Sequence, residues 1–418
     1  MKKSKKLTTL VSILSLLILV SFCLNSCSFV SIDANARGTV DLMENVPVHT
    51  EPLATNDMID AGFRHSVFKF STELFKNSVD SSKNSLISPL SVIMALGMTA
   101  NGASGNTLTE AEALLGKLDV LNYGAAGYSY MQNEQLKTAN SIWIKDEKGF
   151  EVKEDFLKAN AKYYGADAYK APFDTQTLND INNWVKENTD GEIKRILDEL
   201  QPDTVMCLIN TVLFDAEWRT PYTDFSKLTF KGISGETQAD MMTSTESVYL
   251  EAENVKGFMK SYKDGKYSFA SLLPNENITL SEFISSLDTN TLKGIFDNKQ
   301  SRKVKATLPK FSYDYDISMA DIISNMGWQS AFSGDADFSG ISNTPLYISD
   351  VIHKTHIDLD SNGTKAAAAT AVTLNKYTAM AELGETIHLV FDRPFMYVIY
   401  DNESRVPVFM GTVNEINK

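Results

Sequence analysis

The sequence predicts an α+β fold; length alone suggests two or three domains, with a single large domain also open. Three observations bear on this. Apolar residues recur at helical spacing through the first half of the chain, period-two alternation takes over in the second, and no low-complexity linker divides the chain after Asp60. A chain of 418 residues, 43% hydrophobic and 22% charged, can bury a sizeable core.

The elements follow in order. Phe63, Val67, Phe70, Leu74 and Phe75 give helical spacing over 61–79. Leu86-Ile87 reads as a short buried strand. Ser88 then caps a helix that opens at Pro89 and runs through Ala100, because serine accepts orphan N–H groups and proline suits a first turn. Residues 106–115 read as a capped helix, and 153–164 and 177–189 as amphipathic helices. Ser141-Ile142-Trp143-Ile144 alternates as a strand. The apolar run 205–214 is long enough for the centre of a sheet. Further strands are expected at 267–273, 304–308, 389–391, 395–400 and 406–413. No internal repeat is present.

The N-terminus has a targeting logic. Lys2, Lys3, Lys5 and Lys6 precede an apolar run from Leu7 to Phe22, the pattern of a secretory signal. Leu24-Asn25-Ser26-Cys27 resembles a bacterial lipobox. We therefore expect a lipoprotein signal peptide over 1–26, lipidation of Cys27, a flexible tether over 27–59 and a folded domain over 60–418. Ala34-Asn35-Ala36 is a rival cleavage site that would give a secreted protein, and a retained membrane anchor is a third reading. Loss of the signal would leave Cys207 as the one thiol beyond Cys27, so no internal disulfide is expected. The net charge of −14 would fall to about −18 without the leading lysines, which argues against nucleic-acid binding.

Gly363-Thr364-Lys365-Ala366-Ala367-Ala368-Ala369-Thr370 is unusual. Thr364, Ala366, Ala368 and Thr370 share one face at period two, and Val372 and Leu374 continue it. None is charged. Alternation of this kind suits a strand with one buried face, yet alanine is a strong helix former and a weak strand former. Two readings stand: an ordinary surface helix or Ala-rich loop, or a mobile segment able to become a strand.

Several motifs occur in a fixed order: Asn84-Ser85-Leu86-Ile87-Ser88-Pro89-Leu90-Ser91, Ala95-Leu96-Gly97-Met98-Thr99-Ala100-Asn101-Gly102-Ala103-Ser104-Gly105-Asn106-Thr107, Ile181-Asn182-Asn183-Trp184-Val185, Asn210-Thr211-Val212-Leu213-Phe214 with Trp218, Leu308-Pro309-Lys310-Phe311, Ala336-Asp337-Phe338-Ser339-Gly340-Ile341, Val351-Ile352-His353-Lys354, Phe391-Asp392-Arg393-Pro394-Phe395 and Phe409-Met410-Gly411. From about Phe63 to Val413 the chain resembles the serpins, the family of suicide protease inhibitors. The resemblance implies one α+β domain with three β-sheets, about eight or nine helices and an exposed reactive-centre loop over about 361–390. It implies a metastable native state and irreversible inhibition of serine, and in some cases cysteine, endopeptidases. The cleaved loop would enter the central sheet as an extra strand and carry the trapped acyl-enzyme with it.

The residues suit that mechanism. An uncharged, small inward face at Thr364, Ala366, Ala368 and Thr370 would enter a packed sheet easily. Gly363 is read as a flexible hinge, and Ser361-Asn362 departs from the acidic pair common in the family. From Thr364 to Lys376 an extended strand would reach roughly 43 Å. The family interval places the scissile bond between Tyr377 and Thr378, which favours a chymotrypsin-like target. Cleavage after Lys376 would suit trypsin-like proteases, and after Met380 or Leu383 elastase-like or subtilisin-like ones. The resemblance further implies a sheet-opening cluster of Ser88, Ser91, Asn210 and His353, with Trp218 near where the loop enters.

Other chemistries find little support. His353 and His356 are three apart in a strand-like run, hence on opposite faces, and no metal or other cofactor is expected. Ser66-Val67-Phe68-Lys69 matches S-x-x-K without its partner motifs and reads as a helix turn. The protein is not expected to be an enzyme. The expected partners are a protease and, through the lipid, the cell-envelope membrane, with the protein itself a monomer. The alternative is a non-inhibitory relative that serves as protease substrate, binding protein or chaperone.

Overall fold

The computed structural model describes residues 38–46, 58–131, 133–201, 203–364 and 385–416, and the folded unit begins at Thr39. Nine α-helices and seventeen strands form among these residues. The strands are β1 (Val40–Asp41), β2 (Ser85–Ile87), β3 (Leu136–Lys145), β4 (Asp167–Ala171), β5 (Met206–Phe214), β6 (Ala216–Glu217), β7 (Asp224–Gly232), β8 (Gly235–Ala252) and β9 (Val255–Ser261). They continue with β10 (Tyr267–Pro274), β11 (Gln300–Pro309), β12 (Phe311–Ser318), β13 (Asp350–Leu359), β14 (Gly363–Thr364), β15 (Ile387–Val390), β16 (Phe395–Asp401) and β17 (Val406–Val413).

The helix Ala61–Ser78 is capped by Asp60, whose carboxylate accepts from the Phe63 N–H, and it buries the five apolar positions that predict it. The helix Pro89–Ala100 is capped by Ser88 and is buried on every side. That is why its sequence is apolar all round. The helix Leu118–Met131 escapes the periodic reading because Gly124 and Gly127 replace bulky residues on its buried face. There, a Cβ on Gly124 would fall 2.0 Å from the Phe63 ring.

Two hydrogen-bonded sheets result. The first runs β1-β4-β3-β5-β13, with β12 on the far side of β13 and the short β14 and β6 at one end. The second runs β15-β11-β8-β9-β10-β16-β17-β2, with β7 on β8. β8 is 18 residues long and passes from the β7, β11 and β15 group into the β9, β10, β16 and β17 group. The expected third sheet is thereby continuous with the second. β5 is buried along its whole length. The helix Thr175–Asn188 lays Ile181, Trp184 and Val185 over Trp143, Cys207 and Ile209 on one face. The main core takes Leu208, Val212 and Phe214 on the other.

One expectation needs correction. Part of the stretch read as a free tether is folded. Val40 and Asp41 pair with Lys170 and Tyr169 at the edge of the first sheet, and Leu42, Met43 and Val46 pack on the core. Scattered Asn, Asp and Pro hid this two-residue strand, because backbone pairing at a sheet edge asks little of side chains. The domain also gains Met58 and Ile59 before the expected start at Asp60, Ile59 being buried. The expected signal peptide, Cys27, Lys365 to Thr370, Lys376, Tyr377, Thr378, Met380 and Leu383 lie outside the described residues.

Candidate functional site

The first sheet is joined at its centre by a short parallel ladder. β5 and β13 pair from Cys207 with Asp350 to Thr211 with Lys354. Beyond Lys354, β13 keeps its pairing with β12 through Leu359, but its side towards β5 is next paired at Leu359, with Thr364 of β14. β14 in turn pairs with β6, Gly363 with Glu217 and Thr364 with Ala216. Residues 355–358 of β13 therefore face a parted seam, closed below by the parallel ladder and above by a two-residue strand.

A tight turn places that strand. The Asp360 carboxylate accepts from the N–H groups of Asn362 (2.7 Å) and Gly363 (3.1 Å), the usual local bond of an aspartate in a turn. The Asp360 N–H donates to the Gly363 carbonyl at 3.0 Å. Gly363 is required here for close approach. A Cβ on it would lie 2.2 Å from the Ala216 carbonyl oxygen. Thr364 is buried, and its hydroxyl shares a 2.6 Å bond with the Tyr262 hydroxyl. Within the exposed loop expected over about 361–390, Gly363 and Thr364 are instead a strand of the first sheet, and Ile387–Val390 a strand of the second, paired with β11.

Aromatic residues hold the turn from β6 and beyond. The Trp218 N–H donates to the Asn362 carbonyl at 2.7 Å, its indole N–H to the Asp360 carbonyl at 2.9 Å, and the Tyr222 N–H to the Ser361 carbonyl at 2.9 Å. Trp218 stacks on Tyr262, with ring centroids 4.4 Å apart. Beneath them lies the Lys260 ammonium, 4.3 Å from the Tyr222 ring centroid and 5.6 Å from that of Trp218. Its charge is met by Glu246 at 2.8 Å. Both partners are largely out of water, so deleting one would strand the other and cost several kcal/mol, roughly 3–5.

At the lower end of the seam the predicted cluster assembles. His353 and Asn210 are cross-strand partners. The Ser88 N–H donates to His353 Nε2 at 3.0 Å, so Nε2 is the acceptor and Nδ1 carries the proton. Nδ1 then donates to Asn210 Oδ1 at 2.7 Å. Asn210 Nδ2 donates to Ser91 Oγ and to Asn140 Oδ1, the latter at 2.5 Å. The Ser88 hydroxyl donates to the Val408 carbonyl at 2.8 Å. Burial disfavours the imidazolium and pushes the His353 pKa down to about 3.

Ser88, Ser91, Asn210 and His353 are thus brought together. Trp218 is not among them; it holds the turn over 360–363 at the other end of the seam. His356 faces away from His353, as the strand period requires, and bonds Asp314 at 2.8 Å. Among the described residues no cluster of three or more His, Cys, Asp or Glu is placed to hold a metal. Asn140, Tyr222, Tyr262 and the Lys260–Glu246 pair were not foreseen. Asn140 lies between Thr138 and Ser141 in the polar half of β3, so its sequence neighbours give no sign of its buried role. Tyr222, Tyr262 and Lys260 meet that turn only through the fold.

Comparison with known proteins fits this geometry. Residues 65–416 match the family model described as serpin (serine protease inhibitor). An uncharacterized serpin-like protein of Thermococcus kodakarensis is 31% identical, over 83% of this chain and 84% of its own. The thermophilic serpin tengpin in its native state is 41% identical, covers 91% of this chain and all of its own, and superposes with a TM-score of 0.84. The same protein in its latent state superposes with a TM-score of 0.75 over 87% of this chain. The chain belongs to the serpin family.

Proposed function

We propose that the protein is a suicide inhibitor of serine endopeptidases, and that the loop after Thr364 is both bait and insertable strand. The observation that carries this is the parted seam between β5 and β13, with Gly363 and Thr364 already seated at its upper end. Continuing the register of Thr364 with Leu359 and Ala216 sets Ala366 between Ile357 and Phe214. It sets Ala368 between Thr355 and Val212, and Thr370 between His353 and Asn210. His353, Thr355 and Ile357 point their side chains to the buried face. The inserting residues on that face would be Ala366, Ala368 and Thr370, which are small enough to enter without displacing the core. A strand laid there would satisfy backbone groups on both sides of the seam.

Tyr377–Thr378 is the bond we assign to cleavage, with a chymotrypsin-like protease as target. Export, lipidation of Cys27 and a monomeric state complete the reading. The test is incubation with chymotrypsin, trypsin, elastase and subtilisin, followed by denaturing electrophoresis and mass spectrometry of the released C-terminal peptide. We expect a covalent complex with a chymotrypsin-like enzyme and a peptide beginning at Thr378. Cleavage by all four without any stable complex would instead identify a non-inhibitory family member.

A further inference from the structure

A second surface lies beside the loop's return. Thr386, just before β15, forms part of the wall of a cleft of about 640 Å³ between β15, β11, β8 and the segment leading to β7. Lys305 is the cross-strand partner of both His388 and Thr245, and alternation along β11 turns Lys303 and Lys305 outward while Val304 and Ala306 are buried. The cleft's own ion pair, Lys260 with Glu246, neutralises itself. That leaves Lys303 and Lys305 against the single carboxylate of Asp224. The cleft is thus locally cationic on a chain of net charge −14.

We propose that this cleft is a docking surface for an acidic flank of the protease that cuts the loop. The proposal rests on the reading of residues 365–384 as bait. A protease gripping that bait on its carboxyl side would overlie Thr386 and the β11–β15 face. The chain's overall negative charge repels an acidic partner at long range, so a local positive face would select approach in this one orientation. Lys303 and Lys305 would then set the rate of encounter, while the loop sequence sets which bond is cut.

The probe is subtilisin with its surface lysines succinylated, compared with unmodified subtilisin, each normalised by turnover of a small peptide. The readout is the second-order rate at which intact chain is consumed, at low and high salt. For the wild-type chain at low salt we expect the succinylated enzyme to be about tenfold faster relative to its peptide turnover, with the gain shrinking at high salt. Lys303→Glu/Lys305→Glu should abolish the gain and Lys303→Gln/Lys305→Gln should reduce it. Lys148→Glu/Lys153→Glu, at the opposite end of β5, carries the same charge change and should keep the gain. Equal relative rates for the wild type and both β11 variants would overturn the proposal. Whether the consumed chain is trapped or released is read separately on a denaturing gel, and reports on the inhibitory reading alone.

Discussion

His353 Nδ1 donates to Asn210 Oδ1 at 2.7 Å across the ladder that joins β5 to β13. The bond closes the lower end of the parted seam. In the insertion register it is also the bond that Thr370 would replace. The stability of the uncleaved form therefore depends on a neutral imidazole at this position.

Acid should loosen the seam. Burial holds the His353 pKa near 3, against 6.5 when solvated. Between these values the unfolded chain binds a proton that the native chain does not, so stability rises with pH. The contribution is complete above about pH 6.5 and is lost as pH falls towards 3, up to roughly 4–5 kcal/mol at the acid limit. Chemical unfolding of the intact wild type against His353→Gln across this range isolates the effect. Parallel curves for the two proteins would rule it out.

Asn210→Ala should leave the His353 N–H and the Ser91 and Asn140 side chains short of a buried partner, at about 1–3 kcal/mol. Because the lost bonds span β5 and β13, we expect the intact variant to lose activity faster on mild heating than a control of equal stability altered elsewhere. The measurement is residual inhibitory capacity against time at raised temperature.

Thr364→Arg would place a guanidinium at a position that is 2% exposed. An unpaired charge there opposes closure of the upper seam. We expect the variant to be cut by the target protease and released, with little covalent complex. Thr364→Val, which removes only the bond to Tyr262, should keep most inhibition. If the arginine variant still traps protease one for one, insertion does not start at Thr364.

Gly363→Val would drive a side chain into the Ala216 carbonyl oxygen and expel β14 from the sheet. We expect faster proteolysis at the loop and faster amide exchange at Thr364, with the rest of the fold unchanged by circular dichroism.

Much of this was legible beforehand because the relevant residues carry their own signals. Ser88 before Pro89 announces a capped helix, and the apolar run of β5 announces a strand covered on both faces. The motifs around Asn210 and His353 identified the family and with it the cluster. What stayed hidden depends on three-dimensional pairing. β7 and β8 are rich in Thr, Lys and Glu on their solvent faces, which blurs the alternation that marks a strand. Phe311, Tyr313, Tyr315 and Ile317 do alternate cleanly in β12, so that strand carries its own signal. Gly363 suits a flexible hinge by sequence, and the structure adds a second use for it, the close approach of two backbones. Its sequence neighbours cannot distinguish the two uses.

The thermal midpoint of the intact chain against that of the chain cleaved once in its loop tests insertion most directly. Filling the seam adds backbone bonds on both sides of a new strand, on the order of 10 kcal/mol in total. For a domain of this size we expect the cleaved form to melt on the order of 10 °C higher. An equal or lower midpoint after cleavage would contradict a loop that enters the sheet between β5 and β13.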